Sequence, residues 1–220
     1  MFMSVCAFSL MDLIVKWSDS YPLGQVLFFR GFFGVLLYFL IMPRDRIKNF
    51  YYTKRPGLHF LRCFFGLIAL LSIFTALRNL PLATVVSISF AAPIFTTILS
   101  IFLLSEKVGF FRWLAVIVGF IGIIIITEPG FTSLNIYFVY PVIFCLGMSY
   151  VAITIRQLST SEPVWLISLY FSIAITLASF FTIPYGWIMP DIKDLVLLMS
   201  IGIFGGAANL WLSQSYKFSE

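Results

Sequence analysis

The stretch LATVVSISFAAPIFTTILSIFLLSEKVGFFRWLAVIVGFIGIIIIT, residues Leu82–Thr127, consists of two long apolar runs joined by a short polar turn. Each run is close to the ~20 residues that a helix needs to cross the hydrocarbon core of a bilayer. The runs are continuous rather than alternating, which favours helices over the alternating strands of a membrane β-barrel. The stretch therefore predicts two membrane-spanning helices.

The composition of the chain extends this prediction beyond the quoted stretch. Of the 220 residues, 61% are hydrophobic and only 10% are charged, and the mean hydropathy is +1.04. Soluble domains carry about a quarter charged residues, so this composition excludes an ordinary soluble domain. We expect an all-α, polytopic membrane helix bundle that lies in a lipid bilayer and has no separate soluble domain.

Eight apolar runs are predicted to be the spans of this bundle, and short connectors with Pro, Gly, Ser or charged residues separate them. The runs are Met1–Trp17, Gln25–Met42, Leu58–Leu77, Leu82–Leu104, Phe110–Thr127, Asn135–Ile155, Val164–Pro184 and Leu195–Ser213. Glycines within them are interpreted as faces where helices approach closely in lipid, because they follow no strand and lack the Lys-Ser/Thr of a phosphate-binding loop. These glycines are Gly31, Gly34, Gly119, Gly122, Gly202, Gly205 and Gly206.

The distribution of Lys and Arg predicts the orientation of the bundle. Short basic loops stay in the cytoplasm, and the connector Pro43–Gly57 is the most basic one. Alternation from that loop places these basic residues on the cytoplasmic side: Arg44, Arg46, Lys48, Lys54, Arg55, Lys107, Arg112, Arg156 and Lys217. The opposite side receives Lys16, Arg30, Arg78 and Lys193. We therefore expect a cytoplasmic N-terminus, and we interpret the net charge of +5 as a topology signal, with no nucleic-acid partner.

Motifs for catalysis, metal binding or cofactor binding are absent from the sequence, so we expect neither an enzyme nor a cofactor. The cysteines show no C-x-x-C spacing and are interpreted as small apolar residues rather than as disulfides or metal ligands. They are Cys6, Cys63 and Cys145. The single histidine, His59, is expected to have a structural role near the membrane interface.

A weak internal repeat divides the spans into two groups. The segments CAFSLMDLIVK from Cys6 and CLGMSYVAITIR from Cys145 both open with Cys and close with a basic residue, 139 positions apart. Spans one to three then correspond to spans six to eight, which makes the repeat unit about five helices. Because five is odd, the second copy must be inverted in the membrane, a common plan of secondary transporters. We predict a first repeat at residues 1–130 and an incomplete second repeat at residues 131–220.

The stretch Ala76–Gly130, which contains LPLA, AAPIF, SEK, RW and GFIG, resembles the EamA-type branch of the drug/metabolite transporter superfamily. The DLIVK of span one and the FFRGFF of span two are similar to alphaproteobacterial members of that branch, among which S-adenosylmethionine and riboflavin uptake carriers are known types. The resemblance implies a ten-helix inverted-repeat bundle in the inner (plasma) membrane, with a central solute cavity and cytoplasmic termini. It implies a secondary transporter that moves a small-molecule solute, a small organic metabolite, by alternating access, and a homodimer is compatible with it.

The end of the sequence departs from the pattern of that family. The final SQSYKFSE resembles the junction between helices eight and nine of such carriers, so we expect about eight of the ten helices. A second hypothesis therefore stays open, in which the chain is a truncated membrane protein or pseudogene remnant that does not transport.

Charged residues within the first two spans are the first candidates for a substrate-binding or coupling site. Asp12 and Lys16 are four residues apart on one helix face, and Arg30 can join them from the second span. An unpaired charge at the bilayer centre costs at least ~2.5–3.5 kcal/mol, so such groups usually face a bundle interior or a watery cavity. One hypothesis is a structural network in which Lys16 snorkels to the interface. The other is a functional group in which Asp12 responds to protons or substrate and Arg30 gates the path or binds an anion.

A polar segment of the fourth span is the second candidate. Pro93 cannot donate a backbone hydrogen bond and frees the carbonyl of Ser89, which lies close to Ser87 in the sequence. Interrupted helices of this kind line solute paths in transporters, and the alternative is a packing kink beside small residues. Tyr150 and Asn209 are further polar candidates from the later spans.

Overall fold

The structure is a computed structural model, and it describes residues 1–42, 52–104, 109–127 and 136–217. Within these ranges the regular structure is helical and contains no strand. The helices are α1 (Phe2–Trp17), α2 (Leu23–Ile41), α3 (Pro56–Asn79), α4 (Leu82–Ser89), α5 (Ala92–Leu104), α6 (Phe110–Thr127), α7 (Val139–Ser159), α8 (Val164–Phe180) and α9 (Ile192–Lys217). Single 3-10 turns, Ile136–Phe138 and Ile183–Tyr185, precede α7 and follow α8.

Proline sets the start of several of these helices. Pro22, Pro81 and Pro163 stand directly before α2, α4 and α8, each with an extended backbone. Proline has no N–H and a fixed φ, so it suits the beginning of a helix, where no intrahelical donor is needed. The connectors predicted from the sequence therefore end at these prolines, and a helix starts directly after each of them.

Five of the described helical segments are long and apolar enough to cross a membrane. They are Leu23–Ile41, Pro56–Asn79, Leu82–Leu103, Ile136–Ser159 and Ile192–Tyr216. Trp113–Gly122 and Val164–Phe180 are shorter apolar helical stretches. The predicted polytopic, all-α membrane bundle is confirmed.

The predicted spans coincide with helices to within a few residues, except that the fourth span is broken. Its two pieces, α4 and α5, meet at Phe90 and Ala91. Pro93 lies in the first turn of α5, where its missing N–H and its ring end the helix that precedes it. The sequence therefore predicted the position of this interruption.

One compact unit consists of residues 1–64 and 154–220. In this first unit α2 packs against both α8 and α9, α1 packs against α9, and α8 also packs against α9. Most of the buried side chains are apolar, as expected for helices that are hydrophobic along most of their circumference, but polar and charged side chains are buried among them.

Glycines allow the helices of the first unit to approach closely. A Cβ at Gly202 in α9 would lie 2.5 Å from the Phe29 carbonyl oxygen of α2, and it would also meet Phe33. A Cβ at Gly31 in α2 would lie 2.5 Å from Oγ1 of Thr176 in α8. The same close approach occurs at Gly34, Gly205 and Gly206. The interpretation of these glycines as helix contact faces is confirmed.

The second compact unit consists of residues 65–153, in which α4 and α5 pack against α6. Here the glycine interpretation fails for α6. A Cβ at Gly122 would meet nothing within 4 Å, and one at Gly119 would meet only Ile94, at 4.0 Å, in the described part of the chain. These two glycines therefore form no close contact face in this unit.

Side chains of α7 bind the carbonyl groups at the break between α4 and α5. The Cys145 thiol donates to the carbonyl oxygen of Ile88 at 3.3 Å and lies 3.8 Å from that of Ser89. Ser149 Oγ lies 2.9 Å from the carbonyl oxygen of Ala92, and it lies 2.6 Å from the carbonyl oxygen of Cys145 in its own helix. Cys145, expected to be a small apolar residue, is thus also a weak hydrogen-bond donor.

Some predictions concern residues outside the described ranges. Part of the basic connector and of the next turn that is predicted to be cytoplasmic belongs to them, namely Arg44, Arg46, Lys48 and Lys107. The orientation of the bundle therefore remains a prediction, as does the division into repeats at residues 1–130 and 131–220.

Candidate functional site

Arg30 is a charged side chain buried within the apolar helix α2, with 2% of its surface exposed. Gly205 of α9 leaves room for it, because a Cβ at that position would lie 3.3 Å from Arg30 Nε. A charge inside a membrane helix bundle is costly and usually marks a binding site or an ion path. Arg30 is therefore the point from which the candidate site is built.

Arg62 of α3 is a second buried guanidinium, 1% exposed. Its Nη2 donates to Oδ1 of Asn209 in α9 at 2.9 Å. Its Cζ lies 3.8 Å from the centroid of the Phe171 ring of α8, and the Cζ of Arg30 lies 5.5 Å from the same centroid. Both cations are within the range of cation–π attraction to this ring. We refer to Arg30, Arg62, Phe171 and Asn209 as the arginine cluster.

Several donors of the arginine cluster have no acceptor. Nε and Nη1 of Arg30 and of Arg62 are buried and make no hydrogen bond to the described residues. A buried donor without an acceptor costs about 1–3 kcal/mol, and more when it is charged. Because buried polar groups in proteins are nearly always hydrogen-bonded, these N–H groups are available to an acceptor from outside the cluster.

Tyr38 of α2 adds a hydroxyl beside the arginine cluster. It is 1% exposed, and it donates to the carbonyl oxygen of Gly206 at 2.8 Å. Its hydroxyl also neighbours Asn209, Ser168 and Ser172. Polar atoms from α2, α3, α8 and α9 thus converge in the interior of the first unit.

Asp12 of α1 is the acidic neighbour of Arg30, whose guanidinium it attracts electrostatically. Helix α1 is fixed on α9 by Ser4, whose Oγ donates to the carbonyl oxygen of Ala208 at 2.8 Å. Asp12 and Lys16 are both half-buried. The structure therefore brings Asp12 to Arg30, while the pairing of Asp12 with Lys16 remains a prediction.

The serine candidates lie in the second unit. Ser87 Oγ donates to the Ala83 carbonyl at 2.8 Å, and Ser89 Oγ donates to the Val85 carbonyl at 2.7 Å. Each hydroxyl thus donates to the carbonyl four residues earlier in its own helix, a common hydrogen bond of serine within helices. These donors are occupied, so any contact of the two hydroxyls with a solute would use their oxygen lone pairs.

Pro93 and Tyr150 also belong to the second unit. The Tyr150 ring of α7 lies 4.1 Å from the Phe65 ring of α3, measured between centroids. The sequence candidates therefore fall into two sets. The first unit holds Asp12, Lys16, Arg30 and Asn209, and the second holds Ser87, Ser89, Pro93 and Tyr150.

The chemistry that the arginine cluster offers is the binding of an anion or of a hydrogen-bond acceptor. Guanidinium groups remain protonated and present fixed donors, but they are neither nucleophiles nor proton carriers at neutral pH. Within the ranges that the structure describes, no three His, Cys, Asp or Glu side chains are grouped so that they could hold a metal ion. The groups present are suited to an anionic or hydrogen-bond-accepting ligand.

A model of the EamA-like transporter family matches residues 1–128, which is more than half of the chain. The chain belongs to the EamA-like transporter family. The drug/metabolite transporter resemblance seen in the sequence is thereby confirmed, and the protein is a multi-pass membrane protein. No solved structure matches the chain significantly.

Named relatives of this EamA-family chain are transporters. The S-adenosylmethionine uptake transporter of Rickettsia prowazekii (strain Madrid E) is 29% identical over 198 residues, which cover 89% of this chain and 66% of the relative. A pseudopaline exporter of Pseudomonas aeruginosa (strain UCBPP-PA14) is 26% identical over 96% of this chain and 74% of its own length. The riboflavin transporter of Vibrio cholerae is 27% identical over 76% of this chain and 57% of its own length. The chain thus spans just under two thirds of the Rickettsia prowazekii relative.

Sequence analysis of this EamA-family protein missed Arg62 and Phe171 as parts of the site. Arg62 lies within the third predicted span, so the rule that singles out Arg30 applies to it equally. Phe171 gives no such signal, because aromatic residues are frequent throughout these spans. His59, expected near the interface, is buried, and its ring lies 4.8 Å from that of Tyr170.

Hydrogen bonds tie together the connectors at one end of the first unit. The Tyr21 hydroxyl donates to Oδ2 of Asp194 at 2.6 Å, and this hydrogen bond raises the pKa of Tyr21. The Gln25 side chain donates to the carbonyl oxygen of Ile188 at 2.6 Å and accepts from its N–H at 3.0 Å. The α1–α2 connector is therefore joined to the first turn of α9, and the first turn of α2 is joined to the segment before α9.

The other end of the first unit has a comparable link. Oε1 of Glu162 accepts hydrogen bonds from Thr53 Oγ1 at 2.8 Å and from the Lys54 backbone N–H at 2.6 Å. Arg55 Nη1 donates to the carbonyl oxygen of Gln157 at 3.3 Å. The segment before α3 is therefore joined to the connector between α7 and α8.

Proposed function

We propose that this chain is a secondary carrier of the inner membrane that moves a small organic metabolite by alternating access through a central cavity. The observation that carries the proposal is the arginine cluster, two buried guanidinium groups within the apolar helices of a transporter-family chain. Charged groups at membrane depth are expensive to bury and are characteristic of substrate and ion paths. Discontinuous spans such as the α4–α5 pair are a further feature of secondary transporters.

The names of the relatives support the size and type of the solute. They refer to S-adenosylmethionine, pseudopaline and riboflavin, which are all small organic metabolites. Two of these names describe uptake or transport and one describes export, so they do not favour one direction. S-adenosylmethionine and riboflavin are therefore the first solutes to test, and both directions are included in the proposal.

The test is solute counterflow in proteoliposomes that contain the purified chain. Vesicles are preloaded with unlabelled S-adenosylmethionine or riboflavin and diluted into a trace of the same labelled solute. A carrier that alternates between two openings exchanges internal for external solute, so the label accumulates transiently. A channel would only dissipate the gradient.

Two controls make the counterflow result decisive. Protein-free liposomes give the passive leak, and vesicles preloaded with buffer show the label uptake without exchange. Accumulation of at least one solute in preloaded vesicles alone supports the carrier. Uptake of neither solute above the passive leak would favour the second hypothesis, a membrane protein that does not transport.

A further inference from the structure

The charges in and around the arginine cluster do not balance. Arg30 and Arg62 contribute two positive charges, and the charge of Arg30 acts on Arg62. Asp12 supplies one negative charge, which acts on Arg30. The partner that orients Arg62 is the neutral amide of Asn209, which accepts a hydrogen bond without neutralising the guanidinium. Among these three described side chains, one positive charge is therefore left without a counter-charge.

The unpaired N–H groups of Arg30 and Arg62 belong to guanidinium groups that lie next to the Phe171 ring. Phe171 packs on one face of the Arg62 guanidinium, 3.8 Å from ring centroid to Cζ, and the N–H groups of the guanidinium rim point away from this ring. Nε and Nη1, both without a partner in the described residues, lie at different places on the guanidinium rim, because each shares an edge with Nη2 and not with the other. Arg30 presents the same pair of unpaired nitrogens and shares the Phe171 ring.

We propose that the arginine cluster binds the carboxylate of a small organic solute, with the unpaired Nε and Nη1 N–H groups of Arg30 and Arg62 as its hydrogen-bond donors. A carboxylate accepts charge-assisted hydrogen bonds from guanidinium N–H groups, and these bonds are about twice as strong as neutral ones. A monoanion neutralises the one uncompensated charge. Phosphate carries up to two negative charges near neutral pH and would leave the cluster negative.

In the proposal, Asp12 lowers the net positive charge of this site. By compensating Arg30 it reduces the positive charge of the cluster from two to one, and so it favours a single carboxylate over a dianion. Asn209 holds Arg62 in place, and Phe171 offers an apolar surface beside the charged edge. The site would thus accept a carboxylate attached to an apolar or aromatic body.

This inference rests on the proposed function only for the claim that the bound solute is carried, so its test measures binding alone. Thermal unfolding of the detergent-purified full chain is followed with phenylacetate and with L-methionine. Each is compared with its carboxamide, phenylacetamide or L-methioninamide, which lacks the negative charge of the carboxylate. We expect at least one carboxylate to raise the unfolding temperature in a saturable way, while its amide leaves that temperature unchanged. Inorganic phosphate is expected to give a smaller shift.

Variants assign the effect to the cluster. Arg62→Gln and Arg30→Gln should each abolish the difference between acid and amide, whereas Arg55→Gln, which changes an exposed arginine, should keep it. Arg62→Gln without ligand should unfold at the same or a higher temperature than the parent, because it removes an uncompensated buried charge. A folded variant without binding then separates loss of the site from loss of the fold.

Several outcomes would overturn the carboxylate site. They are an equal response to every acid and its amide, an equal or larger response to phosphate, and retention of the acid response in both cluster variants. Carboxylate binding without counterflow would keep this site and overturn the carrier. Counterflow of a neutral solute with no carboxylate response would keep the carrier and overturn this site.

Discussion

Arg62 and Asn209 lie 147 residues apart in the chain, and a 2.9 Å hydrogen bond from Nη2 to Oδ1 joins them in the interior of the first unit. The bond fixes the direction of the guanidinium but leaves its charge uncompensated, because an amide oxygen is neutral. The identity of residue 209 therefore decides whether Arg62 is satisfied within the protein or needs a ligand. This relationship can be tested with a change of one functional group.

Asn209→Asp is expected to supply an internal counter-ion for Arg62. The unfolding temperature without ligand should rise, and carboxylate affinity should fall by about tenfold or more, since each tenfold corresponds to ~1.4 kcal/mol. Thermal unfolding and probe titration measure the two effects. Asn209→Ala is the control, because it removes the hydrogen bond to a charged group and should destabilise the fold by roughly 1.5–3 kcal/mol. An Asp variant that binds carboxylates as tightly as the parent would contradict the prediction.

Asp12→Asn is expected to destabilise the protein, because Arg30 loses its acidic neighbour. Breaking a buried charge pair costs about 3–5 kcal/mol, and Asp12 is only half-buried, so we expect a smaller loss. Denaturation of the purified variant gives the value.

Double variants identify the partner of Asp12. If Lys16 is paired with it, Asp12→Asn combined with Lys16→Met should restore stability. If Arg30 is the main partner, Asp12→Asn combined with Arg30→Met should restore it instead. Counterflow of each stable double variant shows whether the carboxylate also serves transport. A single Asp12→Asn variant as stable as the parent would exclude both pairings.

Gly202→Ala is expected to weaken the contact between α2 and α9. The added Cβ would lie 2.5 Å from the Phe29 carbonyl oxygen, which is backbone and cannot move aside easily. Such overpacking typically costs about 1–3 kcal/mol. Gly122→Ala is the matched control, since its Cβ meets no described atom within 4 Å and alanine favours a helix by up to ~1 kcal/mol. Equal stability of the two variants would show that the α2–α9 contact tolerates a wider spacing.

The hydrogen bond from Tyr21 to Asp194 predicts an alkaline transition in stability. Because this bond raises the pKa of Tyr21 in the folded protein, it contributes stability below the ordinary tyrosine pKa of about 10. That contribution is lost as pH rises through the folded-state pKa. Unfolding temperature measured from pH 8 to pH 11.5 should fall more steeply for the parent than for Tyr21→Phe. Identical slopes would mean that the bond does not contribute to stability.

The orientation of the bundle is open to chemical labelling of intact cells. Single cysteines replace Tyr52, before α3, and Met189, before α9, both exposed, in a background where the exposed native thiol Cys6 is changed to Ser. The basic connector predicts that Tyr52 is cytoplasmic, so an impermeant maleimide should label only the cysteine at 189. Labelling at position 52 alone would mean that the N-terminus is outside.

Much of the fold follows from the sequence because the membrane restricts the choices. Long apolar runs must become helices, and Pro93 must interrupt one, so the spans and the break were both predicted. Glycines such as Gly31 and Gly202 were predicted as contact points for the same reason. The predicted helix contact at Gly122 was wrong, because the sequence does not show which neighbour, if any, packs against a glycine.

The site was predicted less completely because its members come from distant parts of the chain. Arg30 and Asn209 could be selected as polar residues within spans, but their meeting with Arg62 and Phe171 depends on helix packing that no local pattern encodes. Likewise, the Cys145 thiol looks like an apolar residue until the carbonyls that it contacts are known. Sequence reasoning therefore finds single unusual residues more readily than the groups they form.

A weak hydrogen-bond donor lies beside the break between α4 and α5. The Cys145 thiol lies within reach of two successive carbonyls, 3.3 Å from that of Ile88 and 3.8 Å from that of Ser89. The Ser89 carbonyl cannot accept from the backbone N of residue 93, four positions on, because that residue is proline. The thiol is therefore a donor placed beside a carbonyl that the helix ladder does not serve in the usual way. Because a thiol is a weak donor, it holds neither oxygen as strongly as a hydroxyl would.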